Sequence, residues 1–232
     1  MYGVIVNSVA VIAGGGLGLL LRGGVAKRFE SIITHALALC VLLIGISGAI
    51  KTSDIMLVIV CLIVGSVLGE ALRIEDGLSW LGTQAQQRFS KGDDSRFAQG
   101  FISSTLLFCV GAMAVVGSLE AGLSGKADTL LAKSALDGVS SIIFASSLGA
   151  GVMLSSVPLL IYQGGIALLA GVIAPFLSAP VIAEMSAVGS VMIIGLSLNM
   201  LGLMPERIRV GNMLPAMLLP PLYMQIISLI AQ

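Results

Sequence analysis

Long apolar stretches alternate with short polar interruptions along almost the whole chain. Apolar runs of roughly 18 to 22 residues recur between bunched charges, the length a helix needs to cross a hydrocarbon core about 30 Å thick. The pattern predicts spans at 3–21, 31–50, 55–72, 98–119, 131–152, 156–177, 183–204 and 212–230. Ser155, Ser156 and Pro158 divide the fifth from the sixth, because one span over 131–177 is far longer than a bilayer requires. The predicted fold class is all-α, a polytopic transmembrane bundle of about eight helices in which 1–232 form a single integral membrane domain.

One sizeable polar segment, 73–97, interrupts this pattern. Within it Ile74, Leu78, Leu81, Ala85 and Phe89 recur at helical spacing beside Trp80, with Glu75, Gln84, Gln87 and Arg88 elsewhere. An amphipathic helix in the cytoplasmic interface fits, since Trp favours the headgroup level. A loop helix packed on the bundle ends gives the same pattern. Lys91-Gly92-Asp93-Asp94-Ser95-Arg96 reads as a solvated turn. There is also an internal echo: Ile44-Gly45-Ile46-Ser47 resembles Ile194-Gly195-Leu196-Ser197, each following a Glu (Glu30, Glu184) at its helix start. The two helices run oppositely in an eight-span chain, so the echo is compatible with a weak inverted repeat of spans 1–3 and 6–8 around spans 4–5, an arrangement common in secondary transporters.

Composition narrows the class. The chain is 57% hydrophobic and only 10% charged, against roughly 25% charged in soluble domains. Its 29 glycines follow no triplet period, which excludes a collagen-like chain. Zero net charge offers no basic surface for nucleic acid. Cys40, Cys61 and Cys109 sit in apolar runs without CxxC spacing and read as small apolar residues. Met1-Tyr2-Gly3-Val4 lacks the positive region of a cleaved signal peptide, so the first helix is expected to be retained.

Charge also orients the chain. With eight spans, one side receives Arg22, Lys27, Arg28, Arg73, Arg88, Lys91, Arg96, Arg207 and Arg209, and the other only Lys51, Lys126 and Lys133. The positive-inside rule places the richer side in the cytoplasm and both termini outside it.

Lipid gives helices no hydrophobic reason to meet, so small residues become their contact surfaces. The candidates are Gly14 and Gly18 in the first span and Gly65 and Gly69 in the third, with Gly111 and Gly117 in the fourth. They serve either packing within one bundle or a homodimer.

Ionisable groups inside spans are costly and need a reason. Lys133 and Asp137 are four apart, on one helix face where they can pair. Lys133 is near the outer surface, and Asp137 lies roughly 9 Å deeper than the start of its span. The pair either fixes helix register or holds a cation or proton. Ser140 and Ser141, one turn further, extend a polar stripe. Asn7, Gln163, Asn199 and Asn212 add neutral polar groups, with hydroxyl pairs at Ser103-Ser104 and Ser146-Ser147. Such groups can replace an ion's hydration shell or bond helix to helix. Asn212-Met213-Leu214-Pro215, with Pro220 and Pro221, reads as a broken helix with freed carbonyls. Glu70 is expected to pair with Arg73, His35 to be an ordinary interfacial residue, and Asp54, Glu120, Asp128 and Glu184 to be solvated. No Walker loop, GxGxxG, HExxH or GxSxG is present, so no enzyme, cofactor or metal site is expected.

Several segments resemble the YqgA/YdfK family of bacterial inner-membrane proteins: Asn7-Ser8-Val9-Ala10 with Gly14, Gly15 and Gly18; Gly69-Glu70-Ala71-Leu72-Arg73-Ile74-Glu75; Leu107 to Met113 with Gly117-Ser118; Lys133 to Asp137; and Asn212 to Ala216. The resemblance runs nearly the full chain and implies an inner-membrane, multi-helix protein, but no substrate. Three functions stay open: a secondary transporter or channel for a small ion or solute with Asp137 in its path, a membrane sensor or assembly partner, and an intramembrane enzyme. The site proposed comprises Asp137, Lys133, Ser140, Ser141, Asn7, Asn199 and Asn212, and the expected partners are the bilayer, a small ion or solute, and a second copy of the chain.

Overall fold

A computed structural model describes residues 1–22, 27–89 and 97–230. These form α1 (Tyr2–Arg22), α2 (Lys27–Ala49), α3 (Ile55–Leu72), α4 (Ile74–Phe89), α5 (Phe97–Cys109), α6 (Ala112–Leu123), α7 (Asp128–Leu148), α8 (Gly151–Leu154), α9 (Ser156–Leu168), α10 (Ala170–Ile173), α11 (Ala179–Leu201) and α12 (Pro220–Ile230). Short 3-10 helices cover Ala174–Phe176 and Val210–Leu218, and no strand occurs among the described residues. The all-helical class is as the hydrophobic pattern predicts.

Four stretches are long and apolar enough to cross a membrane: Tyr2–Leu21, Ile55–Leu72, Gly151–Leu168 and Ala179–Leu201. The count rises to six if α5 with α6, bent by 62°, and 210–218 with α12, bent by 41°, each make one span. Two segments behind the expected eight fall outside that count. The apolar part of α2 described here is the shorter Thr34–Ala49, and α7 is diluted by Asp128, Lys133, Asp137 and its serines. Ile59, Ile63 and Val67 form an exposed aliphatic stripe along α3, as a lipid-facing surface requires.

The chain packs as two compact units. Unit 1 comprises Met1–Leu37, Leu78–Cys109 and Met113–Val172. In it α1 and α7 lie together in the same direction, with Gly3 against Leu130, Gly14 against Gly138 and Gly18 against Ile142. The α8–α9 stretch runs the other way along α1, Gly15 meeting Met153 and Asn7 meeting Gln163. α5 and α6 oppose α7, with Gly100 beside Leu148 and Gly117 beside Leu130. α5 is buried on nearly every face, from Phe101 through Leu106 to Cys109.

Unit 2 comprises Ala38–Gly77, Val110–Ala112 and Ile173–Gln232. α3 opposes the 210–218 segment, Gly69 meeting Asn212 and Gly65 meeting Ala216. α11 opposes α2, with Gly45 on Ile194 and Ser197 Oγ donating to Ala38 O at 2.6 Å. Leu57, Val58, Cys61, Ala187, Val188 and Ala216 form its core.

Three sequence expectations need correction. The fifth and sixth spans divide at Gly149, not at Ser155: Gly149 takes φ 84° and ends α7, a conformation closed to most other residues. Glu184 is not solvated but 2% exposed, its carboxylate accepting Thr52 Oγ1 at 2.6 Å and Ser53 N and Oγ at 2.8 Å. Glu70 pairs with Arg209 at 2.8 Å, not with Arg73, which is the left-handed cap ending α3.

Asp54 caps α3 by accepting from Leu57 N, Glu120 accepts from Thr129, and Asp128 and His35 are exposed. Cys40 is exposed, and Cys61 and Cys109 are buried free thiols. In α4, Trp80 is 61% exposed and Ile74 and Leu78 are half-buried. The side chains of Leu81, Ala85, Gln87, Arg88 and Phe89, and the expected turn at Lys91–Arg96, lie outside the described residues.

Candidate functional site

The site in unit 1 starts from the register of α7. Lys133 and Asp137 are one turn apart, both buried, and Lys133 Nζ meets Asp137 Oδ2 at 2.6 Å. Asp137 is nine residues into a 21-residue helix, about 14 Å along its axis. The close approach of α1 to α7 at Gly14 and Gly18 brings Asn7 to the same carboxylate oxygen, with Nδ2 donating at 3.0 Å. Asn7 Nδ2 also reaches Gln163 Oε1 of α9 at 3.2 Å. Three helices thus converge on one neutralised pair.

In the unit that holds the pair the hydrogen bonding is incomplete. Buried polar atoms in folded proteins are nearly always paired, yet Asn7 Oδ1, Gln163 Nε2 and the hydroxyls of Ser8, Ser103, Thr105, Ser141 and Tyr162 have no partner among the described residues. All seven atoms belong to unit 1. Ser141 is one turn beyond Asp137 on the same helix, while Ser8 and Tyr162 follow Asn7 and precede Gln163 in the chain and so face other directions from them. Thr105 is one turn before Cys109, whose thiol lies within electrostatic range of Lys133, Asp137 and Tyr162. Other hydroxyls nearby are satisfied locally: Ser104, Ser118 and Ser134 each donate to the carbonyl four residues back.

Of the residues expected at the site, the structure joins Asp137, Lys133 and Asn7. Ser141 shares their helix face, and Ser140 is half-buried. Asn199 and Asn212 belong to unit 2 and are engaged there. Asn199 Nδ2 donates to Ile208 O at 2.7 Å and its Oδ1 accepts Ile208 N at 2.9 Å, stapling the turn after α11. Gln163 is wholly buried at the centre of the cluster, and the sequence marked it only as a polar residue in an apolar run. Ser8, Thr105 and Tyr162 gave no signal beyond their residue type. Gly14, Gly18, Gly65 and Gly69 all pack within the chain, so these glycine faces leave the expected homodimer without their support.

A second constellation closes one end of unit 2. Asn212 Nδ2 donates to Glu70 Oε2 at 2.6 Å, and its Oδ1 accepts Glu75 N at 2.6 Å. Glu75 Oε2 accepts Gly211 N at 2.9 Å, while Arg209 spans Glu70 at 2.8 Å and Asp76 at 3.2 Å. Glu75 is 8% exposed, and burial pushes its carboxyl above the usual range against the Gly211 N–H and the charges of Arg207 and Arg209. A pocket of about 430 Å³ opens between Ser66 and Glu70 on one side and Arg209, Asn212 and Met213 on the other. The 69–75 and 212–216 motifs are therefore two halves of one clasp.

Comparison with known proteins matches the chain to a family described as "Protein of unknown function (DUF554)" over residues 2–225. It is 31% identical over 231 residues to "Uncharacterized membrane protein YdfK" of Bacillus subtilis (strain 168), covering 98% of this chain and 97% of that protein. It is 33% identical over 223 residues to "Uncharacterized protein YqgA" of Escherichia coli (strain K12), covering 94% of each. No solved structure matches it.

Proposed function

The chain belongs to the DUF554 family of uncharacterised membrane proteins, and we propose that it is a secondary transporter or channel for a small ion or solute, with Asp137 in the path. The observation that carries this reading is that Asn7 and Gln163, which meet at the Lys133–Asp137 pair, each keep a buried polar atom without a partner among the described residues, as do five hydroxyls of the same unit. Groups serving only to tie helices together would bond one another. Left open, they can take the place of a solute's water.

Two further features support it. Asp137 is near the middle of its helix, the depth at which transporter sites sit. The segments α5–α6 and 210–218 with α12 are bent by 62° at Gly111 (φ 121°) and by 41° at Leu219, just after the 3-10 helix that contains Pro215, and such proteins use interrupted helices of this kind. The same reading places the chain in a bacterial inner membrane, with both termini outside the cytoplasm and the basic side within.

The test is flux in proteoliposomes of the purified protein, screening protons, alkali and divalent cations, small organic acids and small zwitterions, with Asp137→Asn alongside. The variant keeps an oxygen for Lys133 and Asn7 while losing the charge. Flux that disappears in a folded variant is the expected result. Absence of flux for every solute, with both proteins stable, sinks the transport reading and moves the function to a sensor or assembly partner.

A further inference from the structure

We propose that the Asp137 cluster binds a small zwitterion of the α-amino acid class, its carboxylate on Lys133 and its ammonium on Asp137. This rests on reading the cluster as a solute site and adds the chemistry of the solute.

The amide orientations follow from the carboxylate. An ionised Asp137 only accepts, so the Asn7 group 3.0 Å from it is the NH2, and Asn7 Oδ1 is left without a partner. That same NH2 is 3.2 Å from Gln163, which must present its oxygen and leave Nε2 unpartnered. Two residues with no exposure therefore offer one free acceptor and one free donor. The pair itself repeats this balance. Lys133 has three donors and spends one on Asp137, and the Asn7 and Lys133 bonds to Asp137 both fall on Oδ2.

Charge decides between ligands. A bare cation at Asp137 displaces Lys133 and leaves an ammonium buried without its counter-charge, and a bare anion at Lys133 strands Asp137 in the same way. Breaking a buried pair by losing one partner is strongly unfavourable. A ligand carrying both signs opens the pair and answers both ends at once, with no net charge added to the membrane interior. Both protein charges come from one helical turn, which suits closely spaced ligand charges, and the unpartnered hydroxyl of Ser141, one turn beyond Asp137, remains for the ligand's other polar atoms.

The experiment uses the full chain in detergent, with glycine, L-alanine and L-serine as probes. Propionate, ethylamine and glycerol serve as the anion, cation and neutral analogues. At least one zwitterion is expected to raise the melting temperature and show saturable binding of its labelled form, with each analogue roughly tenfold weaker or more. Lys133→Gln combined with Asp137→Asn removes both charges together, strands neither, and is expected to abolish zwitterion binding. No binding by any of the three zwitterions overturns the proposal, as does an analogue binding equally well or binding that survives in the double variant. The analogue comparison needs only the native chain and holds even if the variant misfolds. Cation or proton flux without zwitterion binding overturns this proposal and leaves transport standing. Zwitterion binding without flux of any solute does the reverse.

Discussion

At the scale of single residues, each charge of the Lys133–Asp137 pair exists inside the protein only because the other answers it. Lys133→Ala leaves the Asp137 carboxylate buried with Asn7 alone, and the expected cost is about 3–5 kcal/mol, read as a lower melting temperature in detergent. Adding Asp137→Asn to that variant should recover much of the loss; a simple sum of two losses would mean that the charges do not depend on each other. The i, i+4 spacing made this pair legible in the sequence. Asn7 and Gln163 were visible only as polar residues in apolar runs, because their meeting depends on three helices 130 and 156 positions apart in the chain. Ser8, Thr105 and Tyr162 were not legible, since a hydroxyl in a membrane helix can satisfy itself on its own backbone, as Ser104 does. Glu75 carries a pH dependence of opposite sign to that of an ordinary paired carboxylate. Its folded pKa is raised above the usual 4.5 by burial. Between those two values the folded chain keeps a proton that the unfolded chain has released, so stability falls as pH climbs through the window. Glu75→Gln keeps an acceptor for Gly211 N–H and should flatten that part of the melting profile. Identical profiles for the two proteins would contradict the assignment.

At the scale of elements, α3 is the helix most completely legible. The expected 55–72 is the observed Ile55–Leu72, because Asp54 caps one end and the charged Glu70 and Arg73 mark the other. The break at Gly149 was hidden, since a positive φ leaves no trace in composition and Gly149 has many glycine neighbours in kind. Contacts between elements also give graded expectations. A Cβ at Gly14 would meet the Gly138 carbonyl, which is backbone and cannot swing aside, so Gly14→Ala should cost about 1–3 kcal/mol. Gly165 faces open space, and Gly165→Ala should be neutral or stabilising by up to about 1 kcal/mol. Thermal denaturation of the two variants side by side checks this, and equal losses would deny the α1–α7 contact. Asn199→Ala leaves both polar groups of Ile208 without their staple, at about 1–3 kcal/mol. Faster proteolysis within 202–208 is the expected sign.

At the scale of the whole molecule, the sequence carried the all-helical membrane class, but the eight expected spans stand against four to six helices long and apolar enough to cross, and the grouping of the helices was not legible. Apolar periodicity reports where the chain crosses and says nothing of which crossings pack together, so the division into two units had no local signal. The distribution of basic residues does make a global statement. Single cysteines placed near either terminus in a chain lacking Cys40, Cys61 and Cys109 should react with a membrane-impermeant maleimide in intact spheroplasts; protection of both until lysis would reverse the orientation. The clasp of Glu70 and Glu75 with Arg209, Gly211 and Asn212 has a consequence for how the protein is made. Unit 1 has all its residues once Val172 has been synthesised, whereas unit 2 begins near Ala38 and is finished only by the last helices. The partners of Glu70 and Glu75 follow 136 to 142 residues later, a delay on the order of ten seconds at bacterial rates of synthesis. Throughout that interval the acidic end of α3 waits without its partners, so a ribosome stalled before residue 209 leaves a chain that has every residue of unit 1 and lacks the clasp of unit 2.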